Sequence, residues 1–324
     1  MMMLSAGALC SSCSDDDNEG NANGNAPSTP LTSQAKVLLT QLDDEYFEYD
    51  EKFRPVAAMN YDDYDDEWQE EWRINYGNGT ISLYDGECPD VTCTINAKGY
   101  ITKISGTVSY IDEDNAQFSE TYTGSFEYDG DNHLISLQYT GDAKITEGSN
   151  VEYDHYVSIE KYTWDNGNLV EAKVTDQSDN DTYEYTTEFT YGEQENKYRQ
   201  YPGSWTYYDT HTMYAVGLCG IGPKNLPTSQ RTRYNSYDEE LFAEYTLNED
   251  GTIKQEIWKN ASGRVDENIL FTYTPMDQYV PSSPKLLSTR SATAARLSGR
   301  EKAESLKRFF RSFSLVRNMK FSQE

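Results

Sequence analysis

One phrase recurs along this chain and limits what it can fold into. An aromatic or β-branched residue is followed by Asp or Asn, a short polar loop often holding Gly, and an apolar residue that starts the next extended run. Examples are Tyr49-Asp50-Glu51-Lys52-Phe53-Arg54-Pro55-Val56, Tyr76-Gly77-Asn78-Gly79-Thr80-Ile81 and Asn96-Ala97-Lys98-Gly99-Tyr100-Ile101. Trp164-Asp165-Asn166-Gly167-Asn168-Leu169, Asn248-Glu249-Asp250-Gly251-Thr252-Ile253 and Asn260-Ala261-Ser262-Gly263-Arg264-Val265 repeat it. Asp and Asn bond their own backbone and tolerate positive φ, and Gly takes it freely. Tyr and β-branched residues at every second position between such clusters are the hairpin pattern. The spacing is irregular, so no strict solenoid or propeller period applies.

Helical periodicity is hard to find between residues 36 and 275. Gln34 to Leu42 is the exception, readable as a short helix or a first strand. The expectation is an all-β domain over 36–275: a large antiparallel meander of about twelve to sixteen strands. An open sheet that large curls or closes to hide its edges. The 27 Tyr among 324 residues exclude an acidic disordered chain, which lacks aromatics. No run of about 18 apolar residues is present, so no transmembrane helix is expected.

The two ends differ from this body. Residues 1–13 carry an apolar stretch from Met1 to Leu9, then small residues, then Cys13. Ser11 and Ser12 precede Cys13, whereas bulky Leu9 precedes Cys10, so Cys13 is the expected lipidation site. The cationic start of a secretory signal is missing. Residues 14–35 form an acidic, Asn/Gly/Pro-rich tether, too polar to bury a core. Residues 276–324 are a basic tail, disordered or a short amphipathic helix, with Ala303, Leu306, Phe310 and Phe313 on one helical face. From 285 to 324 the tail carries ten basic residues and three acids; the remainder carries 17 basic and 52 acidic residues. That strongly acidic remainder excludes nucleic acid as a partner, which needs a basic face.

The plan resembles an uncharacterised family of Bacteroidota surface lipoproteins, described as a domain of unknown function with a porin-like fold. The resemblance rests on Cys13-Ser14-Asp15-Asp16-Asp17, on the tyrosine-aspartate-type hairpins at Tyr49-Asp50 and Tyr128-Asp129, on Gly222-Pro223-Lys224-Asn225-Leu226-Pro227-Thr228, and on the hairpins from Asn248 to Tyr273. It covers about 36–275, departs from the plan at the basic tail and at the signal, which lacks its cationic start, and implies a large antiparallel sheet curved into an open barrel-like or porin-like shell. It implies a lipid-anchored domain at the outer-membrane surface, with the acidic run after the acylated Cys acting as an export mark, and it implies no activity. The bilayer is then a partner through the acyl anchor.

Candidate sites are few. Ser204-Trp205-Thr206-Tyr207-Tyr208 is the densest aromatic cluster, and Trp205, Tyr207 and Tyr208 are candidate stacking platforms for a glycan or protein ligand; the plainer reading is that aromatics fill a sheet. Cys88 and Cys93 bound a short segment, Pro89 to Thr92, expected to loop and close as a disulfide outside the cytosol. Cys219 is expected to be a buried thiol. The acids between Asp62 and Glu71 lack the spacing of a calcium loop and read as a solvated run. Asp209 and His211 share a strand face, but no third ligand is evident. No nucleophile elbow is present. The expectation is therefore a monomeric binding or adhesive module without cofactor, metal or catalysis. A structural envelope lipoprotein is the alternative, and a secreted hydrolase the weaker one.

Overall fold

The computed structural model describes residues 36–281 apart from 44, 63–66, 78, 86–87, 112–116, 148, 179–181, 200 and 202–211. The lipidation site Cys13, the tether, the basic tail from 282 onward, and Trp205, Tyr207, Tyr208, Asp209 and His211 lie outside the described residues.

Sixteen strands follow one another in chain order. They are β1 (Val37–Leu42), β2 (Glu45–Tyr49), β3 (Pro55–Asp62), β4 (Glu67–Tyr76), β5 (Thr80–Asp85), β6 (Cys88–Ile95), β7 (Ile101–Ile111) and β8 (Gln117–Tyr128). The second half holds β9 (Leu134–Glu147), β10 (Asn150–Asp165), β11 (Asn168–Ser178), β12 (Thr182–Glu195), β13 (Asn225–Tyr234), β14 (Tyr237–Leu247), β15 (Ile253–Asn260) and β16 (Val265–Pro275). One helical turn, α1 (Thr212–Ala215), lies in the β12–β13 connection. Each strand pairs antiparallel with its neighbours in sequence, and β1 pairs with β16 through Val37↔Pro275 to Leu42↔Phe271, so the sheet closes into a barrel. Closure removes both edges, which an open sheet of this length would leave unpaired. The Gln34–Leu42 stretch resolves as strand β1 from Val37 onward.

The recurring phrase has one geometry. In the turns beginning at Asp50, Asn96, Asp129, Asn248 and Asn260, the first residue's N–H donates to the fifth carbonyl and the fourth N–H donates to the first carbonyl. The fourth residue takes positive φ each time: Phe53, Gly99, Asn132, Gly251 and Gly263. This is a type I turn followed by a left-handed residue, the usual three-residue hairpin loop. In four of the five, the Oδ1 of the first residue accepts the amides two and four residues on, as Asn96 does from Lys98 and Tyr100. Asn248 differs, and Asp250 Oδ1 accepts the Thr252 amide there.

Burial alternates along the strands. On β8, Glu120, Tyr122, Gly124 and Phe126 are buried, whereas Thr121, Thr123, Ser125 and Glu127 are exposed. The barrel's inside is therefore its hydrophobic core, with Phe47, Ile81, Ile104, Leu137, Tyr139, Val174 and Phe189 converging from many strands. Two glycines make room for rings: an added Cβ at Gly106 would lie 2.0 Å from Tyr122 Oη, and at Gly141 2.1 Å from Tyr156 Cζ. Gly106 pairs with Tyr122 and Gly141 with Tyr156 across the ladder, so each ring covers the glycine opposite.

The pairing of Cys88 with Cys93 is corrected. Both lie on β6, and a strand rises about 3.3 Å per residue. Five residues of extended chain hold two Cα atoms far beyond the ~7 Å that a disulfide spans. Cys93 is a free, buried thiol. Pro89 and Asp90 read as loop residues, but the strand runs through them.

Candidate functional site

The connections after the even-numbered strands gather at one end of the barrel. There the described part of the long β12–β13 connection, residues 196–199, 201 and 212–224, turns inward and plugs that end. Tyr198, Tyr201, Met213, Tyr214, Ala215, Val216, Leu218 and Cys219 are all buried within the core cluster. Its backbone is tied to several turns: Ile101 N–H donates to Leu218 O, Ile221 N–H to Asn132 O, and Lys224 N–H to Gly167 O. Tyr198 Oη accepts the Leu39 N–H at 3.3 Å. Tyr279, beyond β16, accepts the Tyr49 N–H at 2.8 Å and packs edge-on against that ring. Cys219 sits in this plug as a free thiol whose pKa burial raises far above the ordinary value.

Where the plug meets the β8–β9 turn lies a chain of polar groups. Asp129 Oδ2 is 2.9 Å from His133 Nδ1, and Arg199 Nη2 is 3.4 Å from His133 Nε2. The imidazole stacks on Trp164 with ring centroids 4.2 Å apart, and Trp164 Nε1 donates to Leu134 O. Burial alone would raise the Asp129 carboxyl; the His133 side chain and amide, with the Asp131 amide, hold it below the ordinary range. Burial lowers the pKa of Arg199.

Further inside, the wall carries carboxylates that the sequence reading did not single out. Glu120, Glu160, Glu256 and Glu267 are buried. Three bond an aromatic donor: Tyr156 to Glu120, Tyr162 to Glu160, and Trp258 to Glu256. The last two pairs stand two residues apart on one strand and so share a face. Their signal in the sequence is a Glu at an inward position with Tyr or Trp two residues on. Donors of this kind offset the large cost of enclosing a carboxylate. Among the described residues no group of three or more His, Cys, Asp or Glu is placed to hold a metal ion.

Outside, β10 to β14 carry a lattice of charge. Across the wall run Lys161, Lys173, Thr186, Arg233 and Asp238, and beside them Thr163, Glu171, Glu188, Arg231 and Glu240. Arg231 holds Asp238 through two bonds of 2.7 and 2.6 Å, and Arg233 Nη1 donates to Glu188 at 2.8 Å. The bond from Arg231 lowers the Asp238 pKa, and that from Arg233 lowers the Glu188 pKa. Along the second row, on the side away from the first, lies an open groove of about 490 Å³ bordered by Thr163, Val170, Glu171, Glu188, Phe189, Thr190, Ser229, Arg231 and Glu240. That is within the size range of small-ligand sites but more polar than most. The described aromatics are buried or half-buried apart from Tyr46, Tyr153, Tyr183 and Phe242, which are exposed. His155, on the outer wall, pairs with Asp142 at 2.8 Å.

No family model matches the sequence, and no curated protein matches it. Among solved structures, a porin-like protein from Bacteroides uniformis is similar, with 17% identity and a TM-score of 0.46. The match covers 77% of this chain and all of that one.

Proposed function

We propose that the chain is a lipid-anchored domain of the outer-membrane surface whose barrel stands in water and binds a polar ligand, glycan or protein, on its wall. The observation that carries this reading is the character of the outward strand positions. A barrel that spans a bilayer turns outward an apolar band about 25 Å tall, edged by aromatic girdles. Here the outward positions are largely polar: Thr121, Thr123 and Ser125 on β8, Gln138, Asp142 and Lys144 on β9, and Arg231 and Arg233 on β13, with exposed Tyr46, Tyr153, Phe242 and Leu270 standing apart on different strands rather than forming a band. An Arg facing lipid at mid-depth costs about 2–4 kcal/mol. The apolar face points inward and is filled, and the plug closes one end, so the barrel offers surfaces rather than a conduit. The groove over β10–β14 supports a polar ligand, because Arg231, held by a fork onto Asp238, and Glu188, held by Arg233, present a fixed donor and acceptor at its border. The reading assigns no reaction to the chain.

A second reading, a structural envelope lipoprotein with no small ligand, is favoured by how few described aromatics are exposed. A glycan-array screen of the intact chain separates the two. Binding that weakens about tenfold or more when Arg231 and Asp238 are both changed to Ala, with the sheet spectrum unchanged, supports the groove. No ligand on the array, together with none captured from envelope proteins, leaves the structural reading. The anchor is tested separately by fatty-acid labelling, which Cys13→Ala should abolish.

A further inference from the structure

We propose that Asp129, His133 and Arg199 form an acid-sensitive clasp that holds the β12–β13 connection against the barrel end. The argument begins with the proton on the imidazole. Arg199 is a donor only, so its approach to Nε2 at 3.4 Å requires the bare lone pair there. The proton then sits on Nδ1 and is donated to Asp129 Oδ2. The clasp exists only with a neutral imidazole.

Imidazole is the side chain that changes charge between pH 5 and 8. A second proton, on Nε2, puts an N–H donor and a positive charge against the guanidinium. The Nδ1 bond to Asp129 survives, because that carboxylate accepts from either form. Protonation therefore keeps His133 on its turn and repels Arg199, which belongs to the connection. Asp131 and Glu195 are the carboxylates whose charge acts on Arg199. Asp131 lies on the same turn as His133 and opposes the release, whereas Glu195, at the end of β12, offers Arg199 a partner away from the turn. Lys98 Nζ is held by Asn132 Oδ1 at 2.6 Å and adds a cation on the turn side. Trp164 and Tyr201 complete the contact without charge at these pH values. Arg199 has positive φ, its Nε donates to Gly222 O at 3.1 Å, and Gly222 N–H donates back to Arg199 O at 2.7 Å. Moving Arg199 thus loosens Gly222 and the adjoining Ile221, whose N–H is tied to Asn132 O.

Two thiols report on this without an added probe site. Cys219 is buried in the connection and Cys93 in the β6 wall. The intact chain is exposed to a pyridyl disulfide, which reacts in acid, at pH 7.5 and 5.5. Labelling at each cysteine is read by peptide mass spectrometry and scaled to a free cysteine at the same pH. The expected result is that Cys219 labels at least about fivefold faster at pH 5.5, the scale of a contact between like charges, while Cys93 stays protected. His133→Phe keeps the stacking on Trp164 and should make Cys219 labelling independent of pH. Should that variant lose its fold, with Cys93 labelled at both pH values, Arg199→Gln decides, and it should flatten the response likewise. Labelling of Cys219 that is equal at both pH values, that rises only together with Cys93, or that keeps its pH response in a folded variant overturns the clasp.

Discussion

Gly141 shows how single residues set this barrel. Its missing side chain is the space that the Tyr156 ring fills, and that ring carries the hydroxyl bonded to Glu120. Gly141→Ala places a Cβ where Tyr156 stands, so the ring must move and its bond to the carboxylate is strained. The expected cost is about 1–3 kcal/mol, the usual price of overpacking a core, read as a lower urea midpoint. The tyrosines make a second prediction. Burial raises the phenol pKa of Tyr49, Tyr128, Tyr201 and Tyr214 well above the ordinary value of 10. A group whose pKa is raised on folding contributes stability that is complete below the unfolded value and is lost as pH rises above it. Stability should therefore hold through neutral pH and decline above about pH 10. Phenolate absorbance should rise in two stages, exposed tyrosines first and the buried set together with loss of the sheet signal. A single smooth rise with the sheet intact would contradict the burial of these rings.

At the scale of elements, the five shared turns separate backbone cost from crowding. Gly263 has positive φ and open space around its missing Cβ, whereas Gly130 has the same open space without positive φ. Gly263→Ala should cost about 1–2 kcal/mol from the left-handed conformation alone. Gly130→Ala should be neutral or stabilising by about 0.4–1 kcal/mol. Equal effects in thermal unfolding would refute the turn geometry. These turns were the most legible part of the chain, because Asp or Asn at the first place and Gly at the fourth are demanded locally. Phe53 and Asn132 fill the same left-handed place without glycine and were less visible. Strand β6 reads as a loop at Pro89 and Asp90, since turn-forming residues also occur within strands at a bulge, and the β5–β6 register shifts between Cys88 and Val91. Gly106 and Gly141 weaken their strands on propensity alone; only the ring across the ladder explains them.

For the whole molecule, the strand-rich meander was legible but closure was not. The pairing of 37–42 with 271–275 joins the first strand to the last, and no local signal marks it. The alternation along β8 says that one face is buried without saying whether that face lines a barrel or covers an open sheet. The plug was legible only as an apolar stretch around Cys219, because its role depends on turns that come together in space. The inward carboxylates read as ordinary surface acids until register placed them. The central claim is that the apolar face points in and the polar face meets water, and liposome flotation of the barrel, residues 36–281 prepared without detergent, tests it most directly. The account predicts a soluble, sheet-rich monomer that stays at the bottom of the gradient when mixed with phospholipid vesicles. A barrel that needs detergent to stay in solution and rises with the vesicles would contradict it.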